Sequence, residues 1–128
     1  MGKLKISQQR GSYLTVTKSK RNHIGFGVMD EKYLAERHSM KNSNYIILYG
    51  PNGGVYESNE LVRYSEGGIK VGEKIKMRVN PMEGFIEWSN GATVLCKYKN
   101  EKLKDTSIEW IPFVNLCDRG DTVRWTIE

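Results

Sequence analysis

Histidine, cysteine and proline are scarce in this chain, and each scarcity removes a class of chemistry. Its two histidines, His23 and His38, stand apart, and its two cysteines, Cys96 and Cys117, form no Cys-x-x-Cys pair. A structural zinc site therefore has no ligand set. Two cysteines also give no disulfide framework, and they read as reduced, partly buried thiols of an intracellular protein. Nucleophilic catalysis needs a nucleophile beside an oriented base, and no Gly-x-Ser-x-Gly occurs. Asp30, Glu31 and Glu36 are scattered carboxylates that solvent alone satisfies. The chain reads as no enzyme and as needing no cofactor. Long apolar runs are missing as well: the longest, Tyr45–Tyr49, is about a quarter of the ~20 residues a membrane helix needs. The start, Met1-Gly-Lys-Leu-Lys5, has no apolar signal core. Acid is absent from residues 1–24, which carry Lys3, Lys5, Arg10, Lys18, Lys20 and Arg21.

The net charge of +5 on 128 residues is thus concentrated in a basic arm and in alternating strand positions. Residues 105–128 lean acidic, with Asp105, Glu109, Asp118, Asp121 and Glu128 against Arg119 and Arg124. A basic field favours a polyanion, but charges at alternate strand positions read first as solvated outer faces.

Helix signals are weak. Asp30 to Met40 could form two capped turns, with too narrow an apolar stripe for a core helix. Strand signals repeat instead. Ser12–Lys18 is rich in β-branched and aromatic residues, and His23–Val28 places Ile24, Phe26 and Val28 on one face. Gly25 and Gly27 leave its other face flat, as if another layer packs closely there. Tyr45–Tyr49 ends in the turn cluster Gly50-Pro-Asn-Gly-Gly54, which lacks the Lys-Ser/Thr of a phosphate loop. Ile75, Met77 and Val79 alternate with Lys74, Lys76 and Arg78, a strand with one wet face. Asn90-Gly91 between two β-rich runs signals a hairpin, so Lys74–Tyr98 reads as a three-stranded meander. Trp110–Leu116 and Thr122–Ile127 close the chain, and Pro112 belongs at a strand start or edge. The expected class is all-β, a two-sheet antiparallel β-sandwich in one domain. Trp88, Trp110 and Trp125 are expected to pack within it.

The order of these signals resembles the SPRY (B30.2) domain. The carriers are Ile24-Gly-Phe-Gly-Val28, Tyr45 to Tyr56, Val71-Gly-Glu-Lys-Ile75, Gly84-Phe-Ile-Glu-Trp88 with Asn90-Gly91, Ile111-Pro-Phe-Val114 and Val123-Arg-Trp125. They span residues 22–127. Glu73 stands where the family has Asp, and Trp88 to Gly91 is one residue shorter than the common spacing. The resemblance implies a bent, concanavalin-like jelly-roll sandwich without catalytic activity, here read as a fragment of a longer protein. It implies a protein or short-peptide partner, with acidic segments favoured by the charge, bound by a monomeric domain through loops at one end.

Those loops are taken as 30–44, 50–54 and 117–121. Tyr45 lies in Asn44-Tyr-Ile-Ile-Leu-Tyr-Gly50, similar to the stretch that lines the peptide pocket in one subgroup. Tyr33, Arg37 and His38 on the long loop, Tyr49 and Asn52 near the glycine turn, and Cys117, Asp118 and Arg119 in the penultimate loop complete the expected contact set. Cys117-Asp-Arg119 replaces the aromatic wall of that subgroup, so a different ligand is expected. The rival reading is nucleic-acid binding through the basic arm and the Lys74/Lys76/Arg78 face. It is disfavoured because no exposed aromatics interleave along that strand. A lectin-like sugar site lacks its Asp/Asn cluster.

Overall fold

The computed structural model describes residues 12–18, 24–31, 46–50, 53–57, 60–64, 68–116 and 120–127. Ten strands form: β1 (Ser12–Lys18), β2 (Ile24–Asp30), β3 (Ile46–Tyr49), β4 (Gly54–Glu57), β5 (Glu60–Tyr64), β6 (Lys74–Asn80), β7 (Phe85–Asn90), β8 (Thr93–Lys99), β9 (Trp110–Leu116) and β10 (Thr122–Ile127). They build two five-stranded sheets, in the orders β10-β1-β6-β7-β8 and β5-β4-β3-β2-β9, with every strand pair antiparallel. The protein is an all-β, two-sheet antiparallel sandwich, as its alternating pattern predicts. Among the described residues a 3₁₀ turn forms at Glu101–Lys104, capped by the Asn100 side chain accepting from the Lys102 amide at 2.9 Å. No helix among the described residues is long and apolar enough to cross a membrane.

The inner faces meet in one apolar cluster. The first sheet supplies Leu14, Val16, Ile75, Met77, Ile86 and Trp88, and the second Ile24, Phe26, Val28, Ile47, Tyr49 and Val55. β6 alternates as expected, with Ile75, Met77 and Val79 buried and its basic residues on the opposite face. Trp88 and Trp110 are buried, and Trp125 stacks edge-on against Phe26 at 6.4 Å. Pro112 sits on β9, an edge strand, where proline is tolerated. Cys96 is buried.

β2 is buried along its whole length, on both faces. Its outer side carries a second, smaller cluster of Met29, Ile46 and Leu48, joined by Ile111 and Phe113. The two glycines have separate causes. A Cβ on Gly27 would stand 1.8 Å from the Ile47 carbonyl oxygen, so the backbone of the adjacent strand presses in there. At Gly25 the Leu48 side chain leans across the space a Cβ would take, with Cδ1 at 3.2 Å.

Two strands have no counterpart in the sequence reading. β4 starts inside the glycine turn and is four residues long, and β5 is exposed at every position, so neither shows alternation. The Asn-Gly turn is displaced by one residue. Asn90 still pairs with Thr93 in the ladder, and Gly91, at φ +60°, is the first of two loop residues. Most of the short helix considered for Asp30–Met40 lies outside the described residues; Asp30 itself ends β2.

Candidate interaction surfaces

Of the expected contact residues, only Tyr49 is described, and it is not at the surface. Its register with Phe26 and Val55 turns its ring into the core, where it is fully buried and stacks on Trp88 at 5.2 Å. A phenol there packs the sandwich; it cannot meet a partner. Tyr33, Arg37, His38, Tyr45, Asn52, Cys117, Asp118 and Arg119 lie outside the described residues, as does the basic arm before Ser12.

The strand ends flanking those segments are described, and they do not share one end. Asp30 and Ile46, which bracket residues 31–45, lie beside Trp110 and Met29, at the end where β9 begins. Leu116, which precedes 117–121, pairs with Ile24 at the other end of β2. Tyr49 and Gly50, which precede the glycine turn, also lie toward that second end. The loop base at Asp30 and the bases at Gly50 and Leu116 are therefore separated by the length of β2, about 20 Å at 3.3 Å per residue.

The Asp30 end holds a cleft of about 600 Å³. The β6–β7 turn contributes Pro81 and Met82, the 3₁₀ turn contributes Leu103, and Ile108 and Trp110 close the wall. Met82 is 81% exposed, whereas Leu103 and Trp110 are buried. Local bonds set these loops. The Asn80 side chain accepts from the amides of Met82 and Glu83, both at 3.1 Å, and Gly84 bonds back to the Asn80 carbonyl at 2.8 Å. The Asp105 carboxylate likewise accepts from the Ser107 amide at 2.9 Å. The Trp110 indole N–H is buried and has no acceptor among the described residues.

A polar clasp joins the two sheets on the β4/β8 side. Glu57 accepts from the Tyr98 hydroxyl at 2.9 Å and from the side-chain Nδ2 of Asn100. Burial, reinforced by the hydrogen bond to Glu57 and its charge, pushes the Tyr98 phenol up to about 12. Arg63 of β5 donates to the Lys97 carbonyl of β8 at 2.7 Å. Every strong polar contact here ends on another protein group, so this cluster is a structural staple.

The outer face of the first sheet is basic. Register places Lys74, Lys76 and Arg78 of β6, Lys97 and Lys99 of β8, and Arg124 of β10 on it. Tyr13 and Phe85 lie on the same face, beneath those cations. The aromatics missing from β6 in the sequence are thus supplied by its neighbours β1 and β7, which only pairing register reveals. No group of three or more metal-ligating side chains occurs among the described residues. No protein-family model matches the chain, and no curated protein matches it.

Proposed function

We propose that this chain is a SPRY-like protein-interaction domain that holds an apolar anchor of a peptide or protein partner in the cleft at the Asp30 end. The observation that supports it most is the cleft wall: an exposed Met82 above buried Leu103 and Trp110, with an indole donor lacking an acceptor among the described residues. An exposed apolar side chain beside a cleft of this size is a common partner anchor, and a partner carbonyl satisfies a buried donor that otherwise costs ~1–3 kcal/mol. Asp30 and Ile46, the strand ends that flank the segment carrying Tyr33, Arg37, His38 and Tyr45, both lie at this same end. The resemblance supplies the protein-binding role, and the scarcity of catalytic groups agrees with a module that binds without reacting. Gly50 and Leu116, which precede the segments carrying Asn52 and Cys117, Asp118 and Arg119, lie instead toward the other end of β2.

A displayed random-peptide library tests this. Wild-type protein selects peptides with a large apolar residue, and Met82→Glu weakens the selected peptides at least about tenfold, as loss of an interface anchor does. Tyr45→Ala weakens the same peptides with the melting temperature unchanged. Peptides that bind both variants like wild type defeat the proposal.

A further inference from the structure

Charge is distributed unequally between the two sheets. Six cations occupy the outer face of the first sheet, and the same strand positions hold one carboxylate, Glu87, at 3.8 Å from Arg78. On the outer face of β2, β3 and β9, by contrast, the residues are Gly25, Gly27, Met29, Ile46, Leu48, Ile111, Phe113 and Asn115, with no charge. A merely solvated face needs no such excess of one sign, which repels itself and lowers stability.

Four of the six cations are also held in place. Lys74 and Lys76 stand 4.6 and 5.7 Å from the Tyr13 ring centre, and Lys97 and Arg78 stand 4.1 and 5.9 Å from that of Phe85. Cation–π contact restrains the long stems, so less entropy is lost when an anion arrives. It also covers the rings, and Phe85 is only 3% exposed. These aromatics therefore support charges and offer no platform on which a single-stranded base could stack.

The layout is two-dimensional. β10, β6 and β8 are each separated by one intervening strand, so the row of three cations on β6 lies about 9.6 Å from the two on β8 and from the single Arg124 on β10, at ~4.8 Å per strand. An extended acidic peptide follows one row. The phosphate tracks of a duplex flank a minor groove ~6 Å wide and a major groove ~12 Å wide, values that bracket the spacing between these strands. We propose that this face binds the phosphate backbone of a nucleic-acid duplex without regard to sequence.

The test is fluorescence anisotropy of the full chain with a labelled duplex of random sequence. Single strand of the same length, polyglutamate and phosphatidylserine vesicles serve as the other probes. With about five phosphates neutralised, affinity falls about 10²–10³-fold over a fourfold rise in salt. Lys97→Gln and Arg124→Gln each lower the slope of log affinity against log salt by about 0.9. The proposal is overturned by absent or salt-independent duplex binding, or by slopes that Lys97→Gln and Arg124→Gln leave unaltered. Tighter binding of single strand, polyglutamate or vesicles than of duplex overturns it equally.

Discussion

The indole N–H of Trp88, on the first sheet, donates to the main-chain carbonyl of Phe26, on the second, at 2.8 Å across the core. The largest buried side chain is thus fixed in orientation by a single directional bond between the two layers. Trp88→Phe keeps most of the packing and removes the donor. Stability is expected to fall by ~2 kcal/mol, within the range for stranding a buried acceptor. Chemical denaturation with an unchanged m-value checks it; a loss below ~0.5 kcal/mol shows that the bond is unimportant.

Tyr49→Ala and Tyr49→Phe separate the core role from a contact role. The alanine variant loses ring contacts with Trp88 and is expected to cost ~3–5 kcal/mol. The phenylalanine variant keeps the ring and is expected to bind library-selected peptides like wild type. Weakened peptide binding by a stable Tyr49→Phe protein contradicts the buried assignment.

Tyr98 makes stability depend on pH at the alkaline end. Its pKa is raised in the folded protein, from an ordinary value of 10.0 to about 12. Folding therefore favours the protonated phenol, and that contribution is complete below pH ~10 and is lost as pH rises toward ~12. The informative quantity is the difference between wild type and Tyr98→Phe. Denaturation midpoints at about pH 8 and about pH 11 should show wild type losing more stability than the variant. Equal losses rule out the Glu57–Tyr98 bond as the cause.

Gly27→Ala brings a Cβ into the Ile47 carbonyl oxygen, and neither backbone has a flexible end to move aside. Destabilisation at or above ~3 kcal/mol is expected, the top of the usual overpacking range. Gly91→Ala meets open space and bears only the strain of its positive φ, ~1 kcal/mol. Gly91→Asn should recover part of that loss, because Asn tolerates the left-handed region. Thermal denaturation of the three variants ranks them; Gly27→Ala milder than Gly91→Ala reverses the account.

The sheets were legible in the sequence where one face is wet. The Ile75/Met77/Val79 alternation with Lys74/Lys76/Arg78 locates β6 because burial changes sign at every residue. β5 has no dry face, so Glu60–Tyr64 shows no period to read. Tyr49 misled for a related reason. Tyr45–Tyr49 is an apolar run without alternation, since β3 is buried on both sides, and nothing in it says which way Tyr49 points. Which loops share an end depends on strand order, and the order β5-β4-β3-β2-β9 brings together strands far apart in the chain. The aromatic supports Tyr13 and Phe85 were hidden likewise, because they reach the β6 cations from other strands.

The seven-residue span of β2 has a further meaning for recognition. A partner that touches the Asp30 cleft and also the Leu116 end of the sheet must bridge about 20 Å, some six or seven extended residues of its own. Two contacts so separated act as two linked weak sites, and their joint strength depends on the spacer between them. Lengthening that spacer in a partner would erode avidity while leaving each contact intact, so selectivity here can reside in distance as much as in side chains.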